Sequence, residues 1–205
     1  QIAKPAEQTP LVARLACDLL KEAGVPEGGI NLVNGYGPTL GGWLLPDERI
    51  AGVSFTGSHP SARVINRQLA LRDGPIIPLI AETGGINCMV VDSTALPEQV
   101  VDDVITSAFR SAGQRCSALR VLFVQSDVAD GIIELLAGAM KELVLGDPHK
   151  LSTDVGPVID QAAHDRISAH LMHLKETATF IAKSPSADPK LNGYFVEPQA
   201  WEISS

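Results

Sequence analysis

Apolar residues in the first part of the chain recur either every three to four positions or in short continuous runs. The first pattern predicts a helix that Thr9 caps, Pro10 begins and Gly24 ends. The short runs predict strands at residues 30–33, 50–55 and 76–82, with a short helix at 39–45 and a longer one from Ser58 to about residue 71. Together with a strand end at residues 1–5, the predicted order is β-α-β-α-β-α-β.

A second series of elements begins after the glycine pair Gly84-Gly85. The predicted strands lie at 88–91, 120–124 and 177–182, and the predicted helices at 97–113, 128–143 and 160–175. Alternating strands and helices are typical of an α/β fold in which helices cover both faces of parallel sheets. We therefore expect two α/β lobes, formed by residues 1–83 and 84–205.

Composition and charge exclude several classes of protein. The 205 residues are 45% hydrophobic and 20% charged, which is ordinary for a globular chain and argues against disorder. Lys and Arg number 16 and Asp and Glu 24, and the resulting charge of −8 disfavours nucleic acid and anionic membrane surfaces as partners. No apolar run approaches the ~20 residues of a membrane span, and no targeting signal is visible. His164, His170 and His173 lack the Cys or paired Glu that would complete a metal site, so we expect no metal.

Among the three cysteines, Cys116 has the most favourable context for a nucleophile. It follows the end of a helix and lies beside Arg115, whereas Cys17 lies on an amphipathic helix and Cys88 within a strand, where we expect both to face the core. The alternative for any free cysteine is a small buried apolar residue. The odd, widely spaced set fits neither a disulfide framework nor a zinc site, which indicates a reducing compartment such as the cytoplasm.

Glu82 and Ser58 are further candidates for chemistry. Glu82 ends an apolar strand before two glycines, so a partly desolvated carboxylate is expected at the carboxyl edge of a sheet, where it can act as a base. The alternative is a helix-capping or solvent-facing Glu. Ser58 offers a hydroxyl and backbone N–H groups to a pyrophosphate, although any capped helix would do the same. The glycines at 35–38 do not form the G-x-G-x-x-G dinucleotide fingerprint.

Read together, five motifs resemble those of the NAD-dependent aldehyde dehydrogenase superfamily, in the same order. They are Lys4-Pro5-Ala6-Glu7-Gln8-Thr9-Pro10, Val53-Ser54-Phe55-Thr56-Gly57-Ser58, Glu82-Thr83-Gly84-Gly85, Gly113-Gln114-Arg115-Cys116 and Gly193-Tyr194-Phe195-Val196-Glu197-Pro198. Residues 78–85 and 111–122 are similar to the L-glutamate γ-semialdehyde dehydrogenase module of the bifunctional proline utilization A group. The resemblance implies part of a Rossmann-like NAD-binding lobe over 1–83, followed by part of an α/β catalytic lobe over 84–205.

The resemblance also implies how an aldehyde would be oxidised to an acid. Cys116 would add to the aldehyde to give a thiohemiacetal, and loss of a hydride to NAD would leave a thioester. Glu82 would activate the water that hydrolyses this thioester. The backbone N–H of Cys116 would supply half of an oxyanion hole, and Ser117 resembles the residue that contacts the substrate carboxylate.

For the cofactor, the resemblance implies a site built from two motifs. Lys4 and Glu7 match the pair that holds the adenosine ribose, and Gly57 and Ser58 match the pyrophosphate contact. A carboxylate accepts hydrogen bonds from a free 2′-hydroxyl but repels a 2′-phosphate, so Glu7 favours NAD over NADP.

Three features of the family are not found in these 205 residues. Its oxyanion asparagine precedes the Lys4 motif, while its nicotinamide-ribose glutamate and its oligomerisation strand follow Glu197. We therefore expect an internal piece of a homo-oligomeric parent, weakly active or inactive by itself, with any FAD confined to a proline dehydrogenase domain outside this chain. A non-catalytic nucleotide-binding module and a structural relic of a dehydrogenase are the alternatives.

Overall fold

The computed structural model describes residues 1–203, which divide into two compact units between Thr83 and Gly84. This division falls at the glycine pair Gly84-Gly85. The assignment of the two lobes to NAD binding and to catalysis stays a prediction. The elements of the first unit are β1 (Ile2–Ala3), α1 (Pro10–Glu22), β2 (Asn31–Leu32), α2 (Gly37–Leu44), β3 (Val53–Gly57), α3 (His59–Ala70) and β4 (Leu79–Thr83). Their order is the predicted one.

Two parallel strand pairs organise the first unit. β1 pairs with β2, and β3 pairs with β4. Helix α3 begins directly after β3 because the Ser58 side chain caps it by accepting a hydrogen bond from the N–H of Ser61. Helix α1 has the predicted spacing, but Leu11 and Leu15 on it are exposed. Its amphipathic pattern therefore specifies the helix without being buried within this unit.

The second unit contains most of the buried apolar residues. Its elements are β5 (Asn87–Val91), α4 (Pro97–Phe109), a 3₁₀ turn (Arg110–Gly113), β6 (Leu119–Val124), α5 (Ser126–Lys141), α6 (Gln161–Thr177), β7 (Thr179–Lys183) and β8 (Gln199–Glu202). β5 and β6 are parallel, and the largest buried cluster joins them to α4, α5 and β7. This cluster consists of Val91, Val100, Val101, Val104, Leu119, Ile132, Leu136, Met140 and Ala182.

The end of the chain departs from the expected all-parallel arrangement. The apolar pattern does not predict β8, which pairs with β7 in antiparallel fashion. No helix occupies the connection from 184 to 198, whereas a parallel return requires a crossover that is usually helical. The rings of Phe180 and Trp201 pack edge to face across this pair, with centroids 5.1 Å apart.

The environments of two cysteines differ from expectation. Side chains alternate along a strand, and Met89 and Val91 face the buried cluster. Cys88 and Val90 therefore lie on the opposite face of β5, and both are exposed. The prediction of a core position is wrong for Cys88, and Cys17 is only half-buried.

Within residues 1–203, every helix is too short or too polar to cross a membrane.

Candidate active site

Lys4 and Glu7 lie together in the first unit. Glu7 also accepts a hydrogen bond from the backbone of a distant element, the start of α2. Lys4 Nζ donates to Glu7 Oε1 at 2.9 Å, and the N–H of Gly37 at the start of α2 donates to the same oxygen at 2.7 Å. The Oε1 atom of Glu7 therefore accepts from one donor three residues away and from another 30 residues away. A Cβ added at Gly37 would lie 3.3 Å from Glu7 Oε1 and 3.5 Å from Lys4 Nζ, so glycine keeps this approach open.

The same contacts determine the charge of Glu7. The hydrogen bond from Lys4, with backbone N–H bonds from Glu7 itself and Gly37, lowers the pKa of the Glu7 carboxyl from 4.5 to about 2. Glu7 is therefore ionised at neutral pH and acts only as a hydrogen-bond acceptor, while Lys4 is a donor. An acceptor beside a donor fits the two hydroxyls of a ribose, so the residues present suit the cofactor proposed from sequence.

The N-terminus of α3 is a weaker anion site than the sequence predicts. Ser58 Oγ accepts from the N–H of Ser61 at 3.2 Å and donates to Ser61 Oγ at 2.9 Å. Pro60, in the first turn, has no N–H. A pyrophosphate beside Gly57 and Ser58 would therefore meet fewer free backbone donors than at an ordinary helix N-terminus.

Glu82 lies at the carboxyl end of β4. Strand register places it opposite Thr56, and Thr83 opposite Gly57, so Glu82 shares one edge of the β3–β4 pair with the residues that lead into α3. This is the edge at which open parallel sheets bind ligands. The Glu82 side chain is exposed within the unit. Its position is as predicted from the sequence, but the expected partial desolvation is not present in this unit.

The segment before Cys116 has an unusual backbone. Ser111, Ala112 and Gly113 have φ values of 57°, 51° and 65°, so three successive residues adopt the left-handed conformation. Such a conformation costs roughly 1–2 kcal/mol for a residue with a Cβ, and strain of this kind tends to occur at functional sites. Gly113 is required here, because its Cβ would lie 2.7 Å from the carbonyl oxygen of Ala108.

Two side chains, those of Arg120 and Gln114, hold this strained turn in place. Arg120 Nη2 donates to the carbonyl of Gly113. Gln114 Nε2 donates to the carbonyl of Ser111 at 3.2 Å, and Gln114 Oε1 accepts from the N–H of Ile159 at 2.8 Å. The turn is therefore tied both to β6 and to the segment before α6.

Cys116 and Ser117 follow the turn, and both are exposed. Cys116 is a free thiol. The Arg115 guanidinium, which the sequence places next to the thiol, donates to the carbonyl of Thr106 at 3.1 Å. That carbonyl lies in the last turn of α4, so Arg115 caps a helix C-terminus. The structure thus gives Arg115 a helix-capping contact, and its role beside the thiol stays a prediction.

Two contacts of the site were missed from the sequence. The sequence predicts only a turn around Gly37, yet its N–H donates to Glu7 across 30 residues. Asn87 is not among the predicted site residues, yet its side-chain amide donates to the Cys116 loop across 29 residues. A polar side chain at the start of an apolar strand was the one available signal for Asn87. Neither partner could be inferred, because both contacts join distant parts of the chain.

The aldehyde dehydrogenase family profile matches residues 1–202. The bifunctional protein PutA of Klebsiella aerogenes is 50% identical over 212 aligned positions, which cover 100% of this chain and 16% of the relative. The 1-pyrroline-5-carboxylate dehydrogenase of Bacillus cereus strain B4264 is 37% identical, over 95% of this chain and 38% of the relative. The chain thus spans less than half the length of each of these proteins.

The fold is likewise shared with solved structures. A variant of proline utilization A from Bradyrhizobium japonicum superimposes with a TM-score of 0.93 at 56% identity, covering 100% of this chain and 20% of the other. Proline utilization A from Bdellovibrio bacteriovorus superimposes with a TM-score of 0.92 at 30% identity. With both its sequence profile and its α/β architecture matched over nearly all of its residues, the chain belongs to the aldehyde dehydrogenase family.

Proposed function

We propose that this chain is part of an NAD-dependent dehydrogenase that oxidises L-glutamate γ-semialdehyde to L-glutamate in proline catabolism. The observation that carries the proposal is the Cys116 loop, in which an exposed free thiol follows a strained turn that side chains hold in place. Relatives named PutA and 1-pyrroline-5-carboxylate dehydrogenase supply the substrate class.

Cys116 acts as the nucleophile. Its thiolate forms a bond to the aldehyde carbon, and the carbonyl oxygen becomes the oxyanion of a thiohemiacetal. The N–H of Cys116 has no acceptor among residues 1–203, so it is available to stabilise this oxyanion. The exposed Ser117 hydroxyl donates to the carboxylate of the substrate.

Lys4 and Glu7 hold the adenosine ribose of NAD, with Gly57 and Ser58 beside the pyrophosphate. NAD, when bound, supplies the acceptor for the hydride that the adduct on Cys116 loses as it becomes a thioester. The ionised Glu7 repels a 2′-phosphate, which favours NAD over NADP. Glu82 then accepts a proton from water, the water oxygen attacks the thioester, and Cys116 leaves as the thiolate with glutamate as product.

The test is turnover of L-glutamate γ-semialdehyde with NAD by the natural protein, by which we mean the protein of which we propose this chain to be a part. We expect NADH formation that Cys116→Ala abolishes and that Cys17→Ala, which removes a half-buried thiol of the other unit, leaves unchanged. Turnover that survives Cys116→Ala would refute the role of Cys116. NAD binding without any turnover in the natural protein would refute the proposed function and favour a non-catalytic nucleotide-binding module.

A further inference from the structure

Asn87, the first residue of β5, contacts the nucleophile loop through both hydrogens of one amide. Its Nδ2 donates to the carbonyl of Cys116 at 2.8 Å and to the carbonyl of Ala118 at 2.9 Å. These two carbonyls flank Ser117 on either side. A single side chain on a strand therefore determines the direction of two peptide groups next to the thiol-bearing residue.

Because a peptide group is planar, fixing its carbonyl also fixes the direction of its N–H. All peptide bonds of the described residues are trans, so the C=O and N–H of one peptide point in opposite directions. Because Asn87 binds the Cys116 carbonyl, the N–H of Ser117 points away from Asn87. The Ala118 carbonyl is bound in the same way, and the N–H of Leu119 on its far side donates to Ser107 Oγ at 3.2 Å. The peptide after Ala118 is thus fixed at both ends.

The peptide before Cys116 is oriented by a different contact. The carbonyl of Arg115 accepts from the N–H of Ala118 at 3.1 Å, so the N–H of Cys116 points away from Ala118. Within residues 1–203, the N–H groups of Cys116 and Ser117 donate to no acceptor. Two successive backbone donors are thus unpaired at the exposed thiol. Backbone N–H groups that are fixed and unpaired stabilise a nearby anion.

We infer that Asn87 is a positioning residue, which keeps the Cys116–Ser117 peptide oriented so that its N–H, and not its C=O, is available beside the thiol. The inference deepens the proposed function and rests on it for the catalytic consequence. Without the amide, the peptide is free to rotate, and rotation would exchange a donor for an acceptor near any anion formed there. The thiolate and the oxyanion of the adduct would both be destabilised.

The test measures alkylation of Cys116 by iodoacetamide in wild-type protein and in Asn87→Ala, with Cys17 as internal reference. At about pH 7, where an ordinary thiol is mostly protonated, we expect labelling of Cys116 to be about 10-fold slower in the variant than in wild type. At about pH 10, where an ordinary thiol is ionised, we expect the two labelling rates to differ by less than about 2-fold. A purely structural role would instead loosen the loop and speed labelling at both pH values. Equal rates for wild type and variant, or faster labelling at both pH values, would overturn the inference.

Asn31→Ala provides the matched control. Asn31 Nδ2 also donates to two backbone carbonyls, those of Gly28 at 2.9 Å and Gln1 at 3.3 Å, but it lies in the other unit. Loss of this amide removes the same number of hydrogen bonds, so we expect a comparable loss of local stability without any change in Cys116 labelling. A change in Cys116 labelling equal to that of Asn87→Ala would overturn the inference.

In the natural protein, Asn87→Ala is expected to lower kcat about 10-fold, with KM for the aldehyde changed by less than about 2-fold. An unchanged kcat would overturn the inference. If the wild-type protein itself does not oxidise the aldehyde, the proposed function fails, and the labelling comparison still decides the role of Asn87.

A measurement on the wild-type protein covers the case in which Asn87→Ala does not fold. By nuclear magnetic resonance, the Nδ2 hydrogens of Asn87 should exchange with solvent at least about 10-fold more slowly than those of an unbound amide. Exchange at the rate of a free side-chain amide would overturn the inference.

Discussion

At the scale of single residues, Glu7 shows how local contacts determine chemistry. Its carboxylate is about 42% exposed, so burial does not account for its behaviour. The charged donor Lys4 and the N–H of Gly37 meet at one oxygen, and hydrogen bonds to a charged form stabilise that form. Glu7 is therefore a fixed anionic acceptor under all physiological conditions.

Glu7→Gln should weaken discrimination between the two nicotinamide cofactors. The amide keeps the size of the side chain but loses the charge that repels a 2′-phosphate, so we expect NAD to bind about 10-fold more weakly and the NAD-to-NADP preference to fall. Calorimetric titration with each cofactor measures both effects. Glu22→Gln, on the exposed end of α1, is the control. A preference identical to wild type would contradict the assignment of Glu7.

The pKa of Glu7 also predicts a dependence of stability on pH. Its folded-state pKa of about 2 lies below the ordinary 4.5, so its stabilising effect is complete above about pH 4.5 and is lost as the pH falls towards 2. The difference in unfolding free energy between wild type and Glu7→Gln should be constant from about pH 5 to 8 and shrink below about pH 4.5. Urea titrations at each pH measure it. A difference that grows on acidification would contradict the hydrogen-bonded arrangement.

Glu82→Gln should separate the two halves of the proposed reaction. The amide cannot take a proton from water, so thioester hydrolysis slows more than thioester formation. On rapid mixing of the natural protein with NAD and L-glutamate γ-semialdehyde, we expect a burst of NADH near one equivalent per site, followed by slow turnover. Loss of the burst together with turnover would instead assign Glu82 to activation of Cys116.

At the scale of elements, the turn between α4 and β6 determines where the thiol lies. The left-handed run of Ser111, Ala112 and Gly113 breaks the helix, and contacts from Arg120 and Gln114 stabilise the break. Sequence spacing predicts that the helix ends near Gly113. The sequence contains no sign that Ser111 and Ala112, neither of which is glycine, adopt the left-handed conformation as well.

Gly113→Ala should destabilise this turn. The substitution places a Cβ in the left-handed region and 2.7 Å from the Ala108 carbonyl oxygen. We expect a loss of about 2–4 kcal/mol in the unfolding free energy, measured by urea titration. Gly131→Ala is a matched control, because Gly131 lies within α5 with nothing within 4 Å of its added Cβ. It should be stabilising by about 0.5–1 kcal/mol. Equal effects of the two substitutions would show that the left-handed turn imposes no cost.

At the scale of the whole molecule, the exposed apolar surface should favour self-association near the isoelectric point, where the net charge is low. The isoelectric point is about 5.0. Helix α1 exposes a continuous apolar stripe, in which Leu11 is 82%, Val12 70% and Leu15 60% exposed. Charge repulsion between molecules vanishes at the isoelectric point, while the attraction between apolar surfaces remains.

The 205-residue chain should therefore self-associate more at about pH 5 than at about pH 8. Sedimentation velocity at the two pH values measures the average mass. Leu11→Gln should reduce the association, whereas Leu151→Gln, at an exposed leucine of the second unit, should not. Association that is independent of pH and of Leu11 would contradict this explanation.

The sequence by itself determined the features that depend on neighbouring residues. Apolar spacing and Pro10 in the first turn located α1, although the Thr9 side chain makes no capping hydrogen bond there. The Ser58 hydroxyl located the beginning of α3, because capping operates within a few positions. The ordered motifs around Glu82 and Cys116 likewise indicated the family, since they are contiguous in the chain.

Only the tertiary structure decided features that join residues far apart. Cys88 is exposed because the packing of α4 and α5 selects one face of β5, which the strand pattern alone does not reveal. β8 runs antiparallel to β7 because of the path of the connecting segment. The amides of Gly37 and Asn87 reach Glu7 and the Cys116 loop across about 30 residues. Their partners follow from strand pairing and loop closure, which no local pattern encodes.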